Sequence, residues 1–320
     1  MVELLFYPFT SDPNAVWYIL MAFLVSLPCA LLGCFLTLRK MALIGDAISH
    51  SALPGIVIAF LIVKDLSSPW LLIGATISGI AVALLIELIH TKTRIKQDAA
   101  IGISFTTLFA LGILLVSVFV SKQTDLHVDC IISGDLSHLI FYKKIAFLGL
   151  QIPQPIIQAG IIATLFVIGF IVFLRVLTIS SFDSLLAVTL GIKPKVVHFS
   201  LMTILSLLVV NAFQSVGAIL VIALLIIPAS AAFLCTHRLS IMLLLSVLHA
   251  LLSAFIGLYL NAFFHCSYSS AIVVAGLALL LLAWLFGPVD GALWKWKNRL
   301  FLKKSLEDER ATLRSDKDTI

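Results

Sequence analysis

The chain has 320 residues, of which 61% are hydrophobic and only 12% charged, and its mean hydropathy is +1.16. A soluble domain has about 25% charged residues, so the composition excludes that class and predicts an all-α, polytopic membrane protein. Outer-membrane barrels are excluded because their strands are short and alternate in polarity. The net charge of +5 does not indicate nucleic-acid binding, because the basic residues lie beside apolar runs and in the C-terminal tail.

Long apolar runs predict about nine transmembrane helices, since a hydrocarbon core about 30 Å thick needs about 20 apolar residues per helix. No cleavable signal with a basic head is visible, so the first run is predicted to be a permanent span. Residues 211–217 separate two spans by very little chain, and a re-entrant pair there is an alternative. The predicted spans are residues 14–38, 42–64, 69–90, 98–121, 154–177, 196–215, 217–236, 240–260 and 268–287.

The positions of Lys and Arg predict an N-terminus outside and a cytoplasmic C-terminus. With this orientation, all but four of the 21 basic residues lie on the inner side, and the four are Lys64, Lys122, Lys143 and Lys144. The predicted organisation is one transmembrane domain over residues 1–290, followed by a cytoplasmic tail over residues 291–320.

The second predicted span carries an acid and an imidazole, Asp46 and His50. They are four residues apart, so on a helix they lie one turn above each other on the same face. Ten residues from Lys40 to His50 correspond to about 15 Å of helix, which places His50 near the middle of the membrane. Pro54 has no N–H and is expected to kink or unwind the helix, which would free the carbonyl of His50 as a third donor.

A charged group in a bilayer costs at least about 2.5 kcal/mol, so Asp46 and His50 indicate a metal site or a proton site. Carboxylate with imidazole suits Mn(II), Fe(II) or Zn(II), and the lack of a neighbouring cysteine argues against Cu(I). A hydrogen bond that only joins helices is the alternative. Asn211 and Gln214, at the outer end of a span, could complete the site or line its mouth, although packing or interfacial hydrogen bonding is the favoured explanation.

Two segments between spans are long enough to have roles of their own. The outer segment, residues 121–153, is predicted to cap the helices or dip into the membrane, and its acids and histidines include His127 and Asp129. The sequence does not decide whether Cys130 in this segment and Cys266 form a disulfide.

The inner segment contains SSFDSLLAVTLGI, which predicts a short helix over residues 180–192 with a start at Ser180 and Ser181 and a stop at Gly191. Its apolar face needs a partner. No phosphate-binding GxxxxGK[ST] motif occurs, so any ATP that drives this protein must be bound by another chain. There are two interpretations of the short helix: it docks that chain, or it lies on the lipid surface. The apolar face consists of Phe182, Leu185, Leu186 and Leu190.

Five stretches resemble the manganese/zinc/iron permease family of ABC importers. They are RKMALIGDAISHSALPG (39–55), KQDAAIGISFTTLFALGILL (96–115), FDSLLAVTLGI (182–192), NAFQSVGAILVIALLIIPASAA (211–232) and SYSSAIVVAG (267–276). The chain departs from the family pattern at Tyr268-Ser269-Ser270, where a Pro-Ser-Gly-like sequence is expected.

The resemblance implies an ATP-driven importer of Mn, Zn or Fe in the bacterial inner membrane, with this chain as a non-enzymatic permease subunit. It implies no permanently bound cofactor, only the transported metal. The implied partners are a cytoplasmic ATPase dimer, a second permease subunit and an extracytoplasmic metal-binding protein. Asp46 and His50 match the metal path of the family. The ATPase-coupling positions that the resemblance implies are Phe182, Asp183, Leu186, Ala187 and Gly191.

Three other functions remain open on the sequence. In an ion- or proton-coupled secondary carrier, Asp46 and His50 would relay protons and no ATPase would be required. A siderophore- or vitamin-type ABC permease would not need the pair. In a membrane scaffold, both residues would be replaceable without loss of function.

Overall fold

The computed structural model describes residues 14–65, 70–120, 136, 139, 144–147, 150–289 and 291–292. Within these ranges, nine helices are long and apolar enough to cross a membrane, and they coincide with the nine predicted spans. The predicted tail lies almost wholly outside the described residues. The helices are α1 (Ala15–Leu38), α2 (Ile44–Val63), α3 (Trp70–Lys92), α4 (Gln97–Leu115), α5 (Gln154–Phe182), α6 (Ser184–Thr189), α7 (Pro194–Val216), α8 (Ala218–Cys235), α9 (Leu239–Phe264) and α10 (Tyr268–Phe286).

The helix boundaries follow local backbone chemistry. Helix α1 ends where Lys40 adopts a left-handed conformation with φ of 58°, and the Met41 N–H donates to the Leu36 carbonyl across that turn. Gly217, with φ of 87°, is the single residue between α7 and α8. Helices α1, α2 and α8 each contain an internal proline and continue through it. Helix α2 therefore does not unwind at Pro54, whereas the kink and the freed His50 carbonyl stay predictions.

The outer segment contains the main departure from an all-α chain. Strands β1 (Lys144–Phe147) and β2 (Leu150–Pro153) form an antiparallel hairpin, and α4 continues as a π-helical turn over Val116–Val120. Leu136 and Leu139 are buried in the main core, and the Leu136 N–H donates to the Ser269 hydroxyl. This part of the segment therefore packs on the start of α10. His127, Asp129 and Cys130 lie outside the described residues, whereas Cys266 is exposed and has a free thiol.

The helices pack in two groups. Helix α2 packs extensively on α3 and α4, whereas α1, α8, α9 and α10 pack on one another, with α7 contacting both groups. The start of α10, where the sequence departs from the family pattern, is well anchored. The Tyr268 hydroxyl is buried and donates to the Ala254 carbonyl over 2.9 Å, and the Tyr268 ring packs against that of Tyr18.

Helices α2 and α3 approach each other at Gly55 and Gly74. A methyl group on Gly55 would overlap the Gly74 carbonyl, so only glycine permits this separation. Next to the crossing, the Ser78 hydroxyl donates to the Ser51 carbonyl over 2.5 Å. Small residues commonly allow such close approach between membrane helices, where packing rather than the hydrophobic effect stabilises association. The crossing therefore fixes one side of α2 against α3.

We expect Gly55→Ala to lower the thermal stability of the detergent-solubilised protein by several degrees, because overpacking costs about 1–3 kcal/mol. Gly169→Ala in α5 is the matched control, since a methyl group there meets nothing within 4 Å. The control should be neutral or slightly stabilising, because alanine favours helix by up to about 1 kcal/mol. Equal melting temperatures for Gly55→Ala and the wild type would contradict the close crossing.

Candidate metal site

Asp46 and His50 lie in the first two turns of α2. Asp46 occupies the first turn, where the free N–H groups of the helix favour a negative charge. Helix α2 begins at Ile44, so only six residues, about 9 Å of helix, separate its start from His50. The distance predicted from Lys40 assumed a helix through residues 40–43, which instead form a turn. The pair therefore lies in the N-terminal half of α2, not at its middle.

The pair has a geometry that suits a divalent ion. The Nε2 atom of His50 and the Oδ1 atom of Asp46 are 3.3 Å apart. With metal–donor distances of about 2.1 Å, this separation gives an angle of about 100° at a shared ion, between the octahedral and tetrahedral values. The separation of the two atoms is therefore compatible with a shared ion.

The described part of this chain does not complete such a site. It contains no group of three or more His, Cys, Asp or Glu side chains arranged to hold a metal. The side chains of Asp46 and His50 remain 35% and 38% exposed. A transition metal takes four or more donors, so a metal held by this pair would need further ligands from outside the described side chains, such as water, backbone or another chain.

Two aromatic rings of α4 flank the imidazole of His50. The ring centroids of Phe105 and Phe109 lie 5.9 Å and 5.5 Å from that of His50, and the Phe109 contact is edge-on. These rings restrict the rotation of the imidazole and form an apolar wall beside the pair. The sequence analysis did not assign them a role. The spacing of four residues between them, which places both on one face of α4, was the available signal.

Asn211 and Gln214 lie in the last turns of α7, as predicted from their position in the sequence. Asn211 lines a small cavity whose other residues come from α1, α5 and α7, and none from α2. The side chain of Gln214 lies outside what the structure describes. Their participation in a metal path remains a prediction.

The predicted inner helix is shorter than expected, and its start was assigned to the wrong residues. Ser180 and Ser181 belong to the last turn of α5, and α6 covers only Ser184–Thr189. The true cap is Asp183, whose Oδ1 accepts from the backbone N–H groups of Leu185 and Leu186. The predicted stop is confirmed, because Gly191 has φ of 78°.

The apolar face of α6 is uncovered within the described chain. Phe182 and Leu185 are 62% and 80% exposed, and Leu186 and Leu190 are also exposed. Ala187 faces the opposite way and is fully buried, so it fixes α6 to its own chain. The surface formed by Phe182, Leu185, Leu186, Val188 and Leu190 is called the α6 surface below.

Three comparisons relate the chain to known proteins. The profile of the ABC 3 transport family matches residues 11–287, which include all ten helices. The manganese transport system membrane protein MntC of Halalkalibacterium halodurans is 38% identical over 280 residues, with 87% of this chain and 89% of the relative covered. The zinc transport system membrane protein TroD of Treponema pallidum is 37% identical, covering 85% and 74%. The structure of PsaBC from Streptococcus pneumoniae in complex with Fab superimposes with a TM-score of 0.68 at 30% identity, covering 91% and 98%.

Proposed function

The chain belongs to the ABC 3 transport family, and from this premise we propose that it imports divalent transition-metal ions past Asp46 and His50. It is a multi-pass protein of the bacterial inner membrane and the permease subunit of an ABC transporter. The observation that carries the metal proposal is the 3.3 Å separation of a carboxylate and an imidazole within a membrane helix. The relatives named for manganese and zinc transport support the same substrate class.

The incompleteness of the pair supports a second permease subunit, identical or related, as a partner. A polar pair that is more than one-third exposed is costly beside lipid, so another protein surface is expected to cover it. A second Asp–His pair would double the number of ligands to four. The donor set accepts Mn(II), Fe(II) and Zn(II) alike, and the extracytoplasmic metal-binding protein would supply selection among them.

The proposed orientation places the N-terminus outside and α6 in the cytoplasm, as the distribution of basic residues predicts. A cytoplasmic ATPase dimer would then dock on the α6 surface. The apolar side chains of that surface suit a protein interface, whose buried centre is rich in apolar residues. The outer segment, residues 121–153, is proposed to shape the entrance through which the metal-binding protein delivers the ion.

In the proposed transport cycle, the ion leaves the metal-binding protein and is held by the Asp46 carboxylate and the His50 imidazole of each permease. His50 would bind the ion through Nε2, and its ring is kept in place by Phe105 and Phe109. Closure of the ATPases moves α6 and opens the inner side. Each permease supplies only these two ligands, so the ion is held weakly enough to be released after each turnover.

We expect Asp46→Asn and His50→Ala each to reduce metal uptake by at least about tenfold, since even outer-shell partners of a metal contribute 10–100-fold to affinity. Uptake of Mn(II) or Zn(II) would be measured in proteoliposomes containing the complete complex. His90→Ala is the control, because His90 is exposed and makes only a weak contact with the Ile95 carbonyl.

Full transport by both variants would contradict the site assignment. Transport by this chain alone under a proton gradient, without ATP, would instead identify a secondary carrier. Failure of free Mn(II) or Zn(II) to compete with the transported substrate would indicate a metal-chelate or vitamin permease.

We expect Leu185→Asn to reduce metal-stimulated ATP hydrolysis about fivefold or more, because Leu185 is the most exposed side chain of the α6 surface. Leu185→Met is the matched control, since it keeps an apolar side chain of similar volume and should retain normal activity. Binding of metal to the complex should be unchanged in both. Normal ATP hydrolysis by Leu185→Asn would favour a helix that lies on lipid.

A further inference from the structure

Arg39 joins two parts of the chain that are far apart in sequence. Its Nε donates to the Ser181 hydroxyl over 3.0 Å, and its Nη2 donates to the Ser180 hydroxyl over 3.4 Å. The Arg39 side chain is partly buried. Ser180 and Ser181 belong to the last turn of α5, where a cation also interacts favourably with the free carbonyl groups.

On one side, Arg39 is connected rigidly to the proposed metal site. It caps α1, and only four residues separate it from the first residue of α2. That connection is tightly bonded, because the Met41 N–H donates to the Leu36 carbonyl and the Ile44 N–H donates to the Met41 carbonyl. A displacement of Arg39 is therefore expected to carry the start of α2, where Asp46 lies.

On the other side, Ser180 and Ser181 are connected to the α6 surface. Ser181 is two residues from Asp183, the cap of α6, and its hydroxyl also donates to the Leu177 carbonyl over 2.6 Å. The Asp183 N–H donates to the Ile179 carbonyl, so the last turn of α5 and the cap of α6 form one bonded unit. A movement of α6 therefore displaces the acceptors of Arg39.

Helices α3 and α7 meet the same region. The Nε2 atom of His198 in α7 lies 3.4 Å from the Glu87 carboxylate in α3, and the ring of His198 also lies within electrostatic reach of Arg39. Among the residues that the structure describes, no carboxylate forms a salt bridge with Arg39. Its acceptors are neutral hydroxyls, which bind a guanidinium less strongly than carboxylates do and so can exchange during a transport cycle.

We propose that Arg39 is the positioning residue through which movement of α6 reaches the helix that carries Asp46 and His50. This inference rests on the proposed function, and it adds the residue that couples ATP hydrolysis to the metal path. Arg39 binds neither metal nor nucleotide. Its hydrogen bonds to Ser180 and Ser181 make α1, α5 and the start of α2 move together.

The test compares Arg39→Gln with Lys40→Gln in the complete complex, purified through a tag on this chain and reconstituted in proteoliposomes. Lys40 is the adjacent positive charge, is exposed, and makes no hydrogen bond with Ser180 or Ser181. The measured quantity is the number of Mn(II) ions transported per ATP hydrolysed. We expect Arg39→Gln to lower this ratio about fivefold or more, and Lys40→Gln to leave it unchanged.

Arg39→Lys and the double variant Ser180→Ala/Ser181→Ala test the same contact from both sides. Lysine keeps the charge but loses the planar fork, so an intermediate ratio is expected. The serine variant keeps Arg39 and should approach the ratio of Arg39→Gln. Combining it with Arg39→Gln should add little further loss, because the two changes remove one interaction.

The inference would be overturned if Arg39→Gln transported the normal number of Mn(II) ions per ATP, or if Lys40→Gln lowered that number equally. It would also be overturned if the Arg39→Gln complex lost its ATPase subunits during purification. Binding of Mn(II) to the resting complex, measured by electron paramagnetic resonance, should be unchanged in every Arg39 variant. In Asp46→Asn that binding should be lost. Normal binding and transport by Asp46→Asn would overturn the proposed site, whereas the ratio for Arg39→Gln would still decide whether Arg39 couples the two activities.

Discussion

The structure depends on one constraint, that backbone N–H and C=O groups in a hydrocarbon layer must bond within the chain. Nine long helices satisfy it over the described residues except at Pro28, Pro54 and Pro228, each of which leaves the carbonyl four residues earlier without a helical N–H donor. The polar side chains within these helices also need hydrogen-bond partners. Most are serines and threonines that bond to a carbonyl three or four residues earlier in their own helix, whereas Asp46 and His50 pair with each other and stay partly exposed.

The close crossing of α2 and α3 determines which side of α2 is free to carry chemistry. Gly55 and Ser51 occupy the side of α2 that meets Gly74 and Ser78, where the two backbones touch. His50 turns instead toward the aromatic residues of α4. Helix α2 is therefore held rigidly on one side, while the Asp46–His50 pair on another side stays accessible to an ion. Such a division suits a site that must hold its own geometry while its surroundings change.

The sequence predicted the spans and the Asp–His pair because both depend on local properties. Apolar length indicates a membrane helix, and a spacing of four residues indicates a shared face. The flanking rings of Phe105 and Phe109, and the bonds of Arg39 to Ser180 and Ser181, depend instead on how distant helices pack. The error at α6 had the same origin, since Ser180, Ser181 and Asp183 all favour a helix start locally. Only the continuation of α5 through Phe182 leaves that role to Asp183.

The position of both candidate ligands on one helix limits how the ion can be released. Asp46 and His50 are separated by one turn of α2, so any rigid movement of that helix keeps their atoms 3.3 Å apart. Because α2 is also fixed to α3 at Gly55, movement transmitted from α6 would shift the two helices as a unit. Under the proposed mechanism, the affinity for the ion therefore falls when ligands from the second subunit withdraw, not when the Asp–His pair opens. The same argument favours the proposed division of the site between two subunits, because complete coordination within one rigid helix pair would hold the ion through every conformation.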